Sequence, residues 1–500
     1  MINNKQYIIM DIPFQEPDFM HVSLIDGKVL SYHKNLPIQV KMQGSLVEYC
    51  ILGHAYQVDE KRMCPMEELK HIQRVDDIAN VIESWAGCWL LIYRNCIFMD
   101  ACGILGCFYS ESGVISRSVH CINQALKRKD VNPRIMHRFG LDYYPGPGTP
   151  YSDIKRLMPS QTLCITDCTL GKRLLVSFEN MYDNDEHRLE ALIQCFQTLL
   201  KNFVKEYKGR IIVPVTGGYD SRTLIALLEY CKVSEYQLFT MDHDNISIDD
   251  KELPSCIAEK VGRTYQYIER NGNPDKQRYR EYDQHCGRMA IDEDRNFYAY
   301  HQYPESEEQT ALLRANIWEC AWGKYYKSIS SYGANISKFK KKYVNIRRRQ
   351  DIRNSLESWF KYVRNDNQNI EFANRFYWEQ RVGCWLSSVE QSLTVMENID
   401  SIPLCNCNRI LSILLGFDIE IRKNKRHQVM IIKKTCPELL EIPFLQGKIA
   451  KKKENVIVEE LQYLHKCFAC LSVLEAVKEE RRHALQTLGK WKGKKHEKKN

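Results

Sequence analysis

No apolar run of about 18 residues, the length a membrane-spanning helix needs, occurs in the 500-residue chain. The opening MINNKQYIIMDIPFQ has no basic stretch followed by a long apolar one, so no secretory leader is expected. The 20 cysteines follow no regular spacing. Cys405 and Cys407 form a CxC and Cys467 and Cys470 a CxxC, but two paired hooks at zinc-site spacing are missing. Without export, these thiols are expected to stay reduced, in a cytoplasmic protein. The Walker spacing GxxxxGK[ST] and internal repeats are also missing, which excludes that kind of P-loop and a solenoid.

What is present suggests two or three ordinary domains. The length exceeds one typical core. Apolar content of 44% and charged content of 27% are those of a globular chain rather than a disordered one. The net charge of +8 is uneven: from Glu479 onward eight Lys and Arg stand against three Glu. RRHALQTLGKWKGKKHEKKN therefore reads as a solvated basic tail, 476–500, and gives no ground for a specific nucleic-acid partner.

Two textures precede the tail. Up to about residue 175, short runs such as QYIIMDI, HVSLID, CWLLIYRNCIFMD, GCFYS and QTLCIT alternate with Gly, Asn and Asp clusters. They predict an antiparallel, β-rich domain over 1–175. HRLEALIQCFQTLLKNFVKEY has the spacing of an amphipathic helix. Strands and helices then alternate: RIIVPV, a helix, YQLFTMD, a helix through PSCIAEKVG, and YQYIER. That alternation predicts parallel strands with helical crossovers, an α/β domain over 185–475 whose part beyond about Asp275 is mostly helical.

Within IIVPVTGGYDSRTLIALLEYC, a buried-strand run meets a helical run at Thr216-Gly217-Gly218-Tyr219-Asp220-Ser221-Arg222. A strand feeding a helix sets the helix N-terminus at the carboxyl edge of a sheet, where ligands bind. The first N–H groups of that helix lack intrahelical acceptors and carry the positive end of its dipole. Gly217 and Gly218 would let the backbone approach a bulky anion, with Thr216 and Ser221 as hydroxyl donors. Asp220 beside an anion calls for a cation between them, which points to Mg²⁺. The same residues also suit a tight turn and a helix cap.

TGGYDSR resembles the pyrophosphate loop SGGxDS of the N-type ATP pyrophosphatases, and specifically of the asparagine synthetase family, with Thr216 for its first Ser. FTMDHDNISIDDKELPSCIAEKVG is similar to the family's second strand and helix, where Ser247, Asp250, Ala258 and Gly262 fit. Phe239, Thr240 and Met241 match positions that line its adenine and ribose pocket. LLRANIWECAWGKYY resembles the third signature in a degraded form. Glu319, Gly323 and Tyr325 match, while Ala315 and Trp318 stand where the family has a catalytic group and a second Mg²⁺-binding aspartate. FYWEQRVGCWLSS and SIPLCNCNRILSILLGFD resemble later helices of divergent members encoded with surface-polysaccharide genes. Glu379 and Arg381 become candidates for the pocket wall. Lys425 falls on the family's charge-stabilising lysine, with Lys423 the rival register. WAGCWLLIYRNCIFMDACGILGCFY and GTPYSDIKRLMPSQTLCI are similar to the glutaminase domain. Asp100 and Gly103 match there, and Met99 replaces an arginine.

The resemblance implies a fold of two parts: an N-terminal-nucleophile-like β-rich domain and an adenine nucleotide alpha hydrolase-like parallel sheet with a helical extension. It implies an ATP- and Mg²⁺-dependent ligase of the asparagine synthase kind, which adenylates aspartate or another carboxylate and passes it to ammonia or an amine. Position 2 is Ile and the first cysteine is Cys50. Glutamine hydrolysis, which uses an N-terminal cysteine, is therefore not expected, and a separate glutaminase or ammonia source becomes a candidate partner. A homodimer stays open. The alternative is a catalytically degenerate ATP-binding or assembly protein.

Overall fold

Arg210–Pro214, with the sequence RIIVP, is the central strand of a five-stranded sheet. The computed structural model describes residues 3–129, 141–176, 182–243, 246–270, 275–285, 287–290, 308–322, 349–366 and 368–444. All of these lie in one structural unit, residues 1–445. The basic tail 476–500, Cys467, Cys470, Gly323 and Tyr325 fall outside the described residues.

The sheet runs Tyr265–Ile268, Gln237–Met241, Arg210–Pro214, Thr310–Arg314, Ile399–Pro403, and every neighbouring pair is parallel. The chain starts in the middle, builds outward to one edge, then returns to build the other. Successive side chains of a strand point to opposite faces. Ile211 and Val213 accordingly enter one apolar cluster, with Leu224 and Leu228 of the helix Tyr219–Tyr230 and Leu199 of the helix Asp185–Glu206. Ile212 enters another, with Phe239, Leu312 and Leu393. Each fully buried Leu or Ile contributes about 1.5–3 kcal/mol relative to exposure. The helix Asp185–Glu206 starts where Asn184 accepts the His187 N–H at 2.9 Å, with Asp185 and Glu186 in its first turn.

The region expected to be mostly helical beyond Asp275 thus supplies two of the five parallel strands. TALLR and IDSIP are too short, and too uniformly buried, to show a period.

Residues 7–172 supply one 12-stranded sheet. The hairpin Trp85–Tyr93/Cys96–Met99 is antiparallel, as expected. Asp100 ends it: its carboxylate accepts the N–H groups of Cys102 (3.2 Å), Ile104 (2.8 Å) and Leu105 (3.0 Å). The expectation of a purely antiparallel domain needs one correction. Phe19–Leu24 pairs with Leu46–Gln57 in parallel, because a further pair of strands, Val29–His33 and Ile38–Gln43, is inserted between them in sequence. Between the two sheets the core is continuous: Leu90 and Ile92 share a cluster with Phe196, Val213 and Trp378. No helix among the described residues is long and apolar enough to cross a membrane.

Candidate active site

The order of the parallel sheet creates a switch point between Arg210–Pro214 and Thr310–Arg314. At such a point the loops leaving the carboxyl ends of the two strands run to opposite faces of the sheet, which is where ligands bind in open α/β sheets. One loop is Val215–Gly218, which feeds the 12-residue helix Tyr219–Tyr230. The other is Ala315–Ile317, in which Ile317 adopts φ 80° before a single turn, Trp318–Cys320.

The first loop is tied down by its own side chains. Ser221 Oγ accepts the Thr216 N–H at 3.1 Å and donates to the Thr216 carbonyl at 3.2 Å. Thr216 Oγ1 accepts the Gly218 N–H at 3.3 Å. Asp250 Oδ1 accepts the Gly217 N–H at 2.9 Å, while its Oδ2 accepts from Ser247 Oγ at 2.8 Å. Ser247 in turn caps the helix Ile248–Lys260. Asp250 is thereby a brace between loop and second helix. A Cβ at Gly217 would stand 2.9 Å from Leu253 Cδ1. A larger residue there would have to displace the Leu253 side chain of that helix, and the Gly217 N–H already meets a carboxylate. The amides aimed out of the sheet edge are those of the first helical turn, Tyr219 to Ser221.

Asp220 accepts a hydrogen bond from Gln428 Nε2 at 2.7 Å. Burial, with Asp220 and Glu319 both close by, holds the Cys405 thiol well above its ordinary range. Cys405 itself is fully buried. Lys425, at φ 57°, caps the helix Arg426–Thr435 and extends its ammonium over Tyr219, 4.8 Å from the ring centroid. Its rival Lys423 pairs instead with Glu420 at 3.2 Å. Thr216, Gly217, Gly218, Asp220, Ser221 and Lys425 thus gather beyond the carboxyl end of Arg210–Pro214, and Glu319 lies in the turn after the neighbouring strand Thr310–Arg314.

Other candidate residues go elsewhere. Phe239 is fully buried in the core, and Thr240 donates its hydroxyl to the Val215 carbonyl at 2.7 Å. Met241, half-buried, ends the strand. Arg381 Nη1 donates to both carboxylate oxygens of Asp142, at 2.8 and 2.9 Å, and its guanidinium carbon lies 3.5 Å from the Trp385 ring centroid. Glu379 is buried and accepts from Trp359 Nε1 at 2.8 Å and Arg375 Nε at 3.1 Å. Its ion-pair partner is Arg375, four residues earlier, and the pair braces the helical region rather than the loop. Trp318 is also core, stacked on Phe196 at 5.5 Å.

Mg²⁺ and ATP can be tested against these groups. Asp220 and Glu319 follow adjacent parallel strands, and carboxylate oxygens are the donors a hard cation takes. Among the described residues no trio of His, Cys, Asp or Glu forms a complete cage. Asp220 and Glu319 would hold part of the coordination shell, with phosphate oxygens and water the rest, as is usual for Mg²⁺.

No family model matches the chain. No curated protein matches it either. Among solved structures, NMN synthetase from Francisella tularensis is 11% identical, covering 52% of this chain and 97% of that one, with a TM-score of 0.19. The NH3-dependent NAD synthetase from Campylobacter jejuni subsp. jejuni NCTC 11168 is 13% identical, covering 36% and 93%, at 0.17. The glutamine-dependent NAD+ synthetase from Acinetobacter baumannii is 10% identical, covering 58% and 53%, at 0.18. Superposition this loose transfers neither substrate nor residue roles.

A different cavity, of about 460 Å³, lies at the opposite, amino edge of the parallel sheet, lined by Lys34, His54, Tyr207, Gln309 and Asp400 among others. Its Asp400 is already engaged by Lys5, Gln309 and His54.

Sequence reasoning gave no role to Tyr219, Arg222, Trp322, Gln428 or Phe444. Only Gln428 left a trace, three residues after Lys425 and so on the same side of a helix.

Proposed function

We propose that the protein is an ATP-dependent ligase of the asparagine synthetase kind, joining a carboxylate to ammonia or an amine. Support comes from Asp220 and Lys425 at the first turn of Tyr219–Tyr230, with Glu319 in the turn after the neighbouring strand, at the switch point of a parallel sheet. In this reading the carboxylate oxygen of the substrate attacks the α-phosphorus of ATP. The bond to the β-phosphate oxygen breaks, and pyrophosphate leaves. The amine then attacks the acyl carbon, AMP departs, and the amine's proton goes to Glu319.

The chain's own groups answer the charge problem at each stage. The amides of Tyr219 to Ser221 and the Lys425 ammonium face the leaving pyrophosphate. Asp220, oriented by Gln428, and Glu319 would hold Mg²⁺, which supplies charge neutralisation when bound. The 215–221 loop is braced before any ligand arrives, so little of it must be ordered on binding. Aspartate is one candidate acid among amino and uronic acids.

One observation favours a second reading. Trp318 fills the core where the family has an acid, which suits a nucleotide-binding or assembly protein without turnover. ATP–pyrophosphate exchange separates the two. Purified protein with Mg²⁺ and a panel of amino and uronic acids should exchange label with at least one acid. Asp220→Ala should lower that rate about 100-fold or more. ATP binding without exchange for any acid would favour the second reading.

A further inference from the structure

Five groups stand in line beside the loop. The Arg222 guanidinium carbon lies 3.9 Å from the Phe444 ring centroid. Phe444 stacks on Tyr219 at 4.1 Å with 6° between planes. The Lys425 ammonium sits 4.8 Å from the Tyr219 ring centroid and 4.1 Å from that of Trp322. Phe444 covers one face of Tyr219, and the Lys425 ammonium lies within cation–π reach of both Tyr219 and Trp322.

Neither cation has a carboxylate partner among the described residues. Arg222 is buried, and donates to the carbonyls of Gly217 (3.2 Å), Leu439 (3.2 Å), Ile442 (2.6 Å) and Pro443 (2.9 Å). Its Nε is buried without an acceptor. One side chain therefore ties the loop peptide to the segment that presents Phe444. Two uncompensated positive charges flank the N-terminus of a 12-residue helix.

We propose that the column Arg222–Phe444–Tyr219–Lys425–Trp322 sets the affinity of the loop for a polyphosphate, with Tyr219 and Trp322 as positioning residues for Lys425. This rests on the ATP-dependent reading above and extends it to residues outside the loop motif. The physical case is the choice of aromatic over acidic partners. A carboxylate would fix the lysine but compete with phosphate for its charge. A ring face attracts the ammonium through its quadrupole and leaves the full charge available. A lysine held between two rings has already lost the rotamer freedom that a free one would lose on binding.

The test is calorimetric titration of pyrophosphate with Mg²⁺ into the full-length protein. Lys425→Met should weaken binding about 10-fold or more, and Trp322→Leu about 5- to 10-fold, in the range of desolvated cation–π contacts. Trp322→Phe, which keeps a ring face, should lose only about 2- to 3-fold. In the double variant Trp322→Leu/Lys425→Met the loss should equal that of Lys425→Met alone, a coupling that general loosening of the fold would not produce. Near-ultraviolet circular dichroism checks the fold. If Trp322→Leu does not fold, half-buried Tyr219→Leu carries the same cycle. Losses that multiply in the double variant, or wild-type affinity in Trp322→Leu, overturn the column while leaving the ligase reading intact. No pyrophosphate binding by the wild type removes both.

Discussion

His427 is fully buried between Trp318, with ring centroids 6.4 Å apart, and Phe417, at 6.0 Å. Its ring nitrogens make no well-aligned hydrogen bond, though the Ile421 backbone is near. Burial lowers its pKa from 6.5 to about 4. Between those values the unfolded chain binds a proton that the folded chain refuses. Stability is therefore complete above about pH 6.5 and falls toward pH 4, by up to about 1.4 kcal/mol per pH unit. Urea midpoints at pH 7 and pH 5 should move closer together in His427→Phe, whose ring suits the same aromatic slot. An unchanged gap would assign the acid sensitivity to other groups. At this scale the sequence was legible as a list and less so as roles. TGGYDSR marks the loop, but Gly217 answers to Leu253 and Asp250 answers to the Gly217 N–H. Both partners lie more than 30 residues downstream, and nothing local announces them.

Loop and second helix form one mechanical piece. Adding a methyl at Gly217 would push against Leu253 Cδ1, the movable end of a side chain, and come within 3.4 Å of the Asp249 carbonyl. Gly217→Ala should cost about 1–2 kcal/mol by thermal unfolding. In a Leu253→Ala background the added cost should largely vanish, since the space is then open. An undiminished cost would mean that backbone conformation, not packing, demands glycine. Elements with a clear period were readable: the amphipathic Asp185–Glu206 and the strand–helix junction at Pro214. Leu46–Gln57 escaped notice although it is the longest strand of the molecule's described part. It is buried along most of its length, so it shows no alternation, and Gly53 at φ 83° interrupts it. TALLR and IDSIP escaped for the same reason, and with them the switch point that gives the loop its meaning.

Across the molecule, polar contacts bind the N-terminal sheet to the parallel one. The buried Lys5 ammonium donates to Asp400 Oδ1 at 2.7 Å and to the Ile399 carbonyl at 2.8 Å. Burial alone would raise the Asp400 carboxyl, yet Lys5 and His54 hold it well below the usual carboxylate range. Asn406 joins the Asp100 carboxylate at 2.8 Å, and Arg173 reaches Asn408 at 2.6 Å. Asp400→Asn should destabilise by about 3–5 kcal/mol, because it strands a buried ammonium. Lys5→Met with Asp400→Leu should recover most of that loss. Equilibrium unfolding monitored by tryptophan fluorescence and by far-ultraviolet circular dichroism checks both. A double variant no better than Asp400→Asn would deny the pair its role.

Lys5 and Asp400 lie 395 positions apart. A ribosome adding about 5–20 residues per second needs roughly 20–80 s to cover that interval. Throughout, the nascent chain carries a lysine whose native berth is dry and whose counter-ion has not been made. For that interval the buried ion pair that joins the two sheets cannot form, whatever the first sheet has already built.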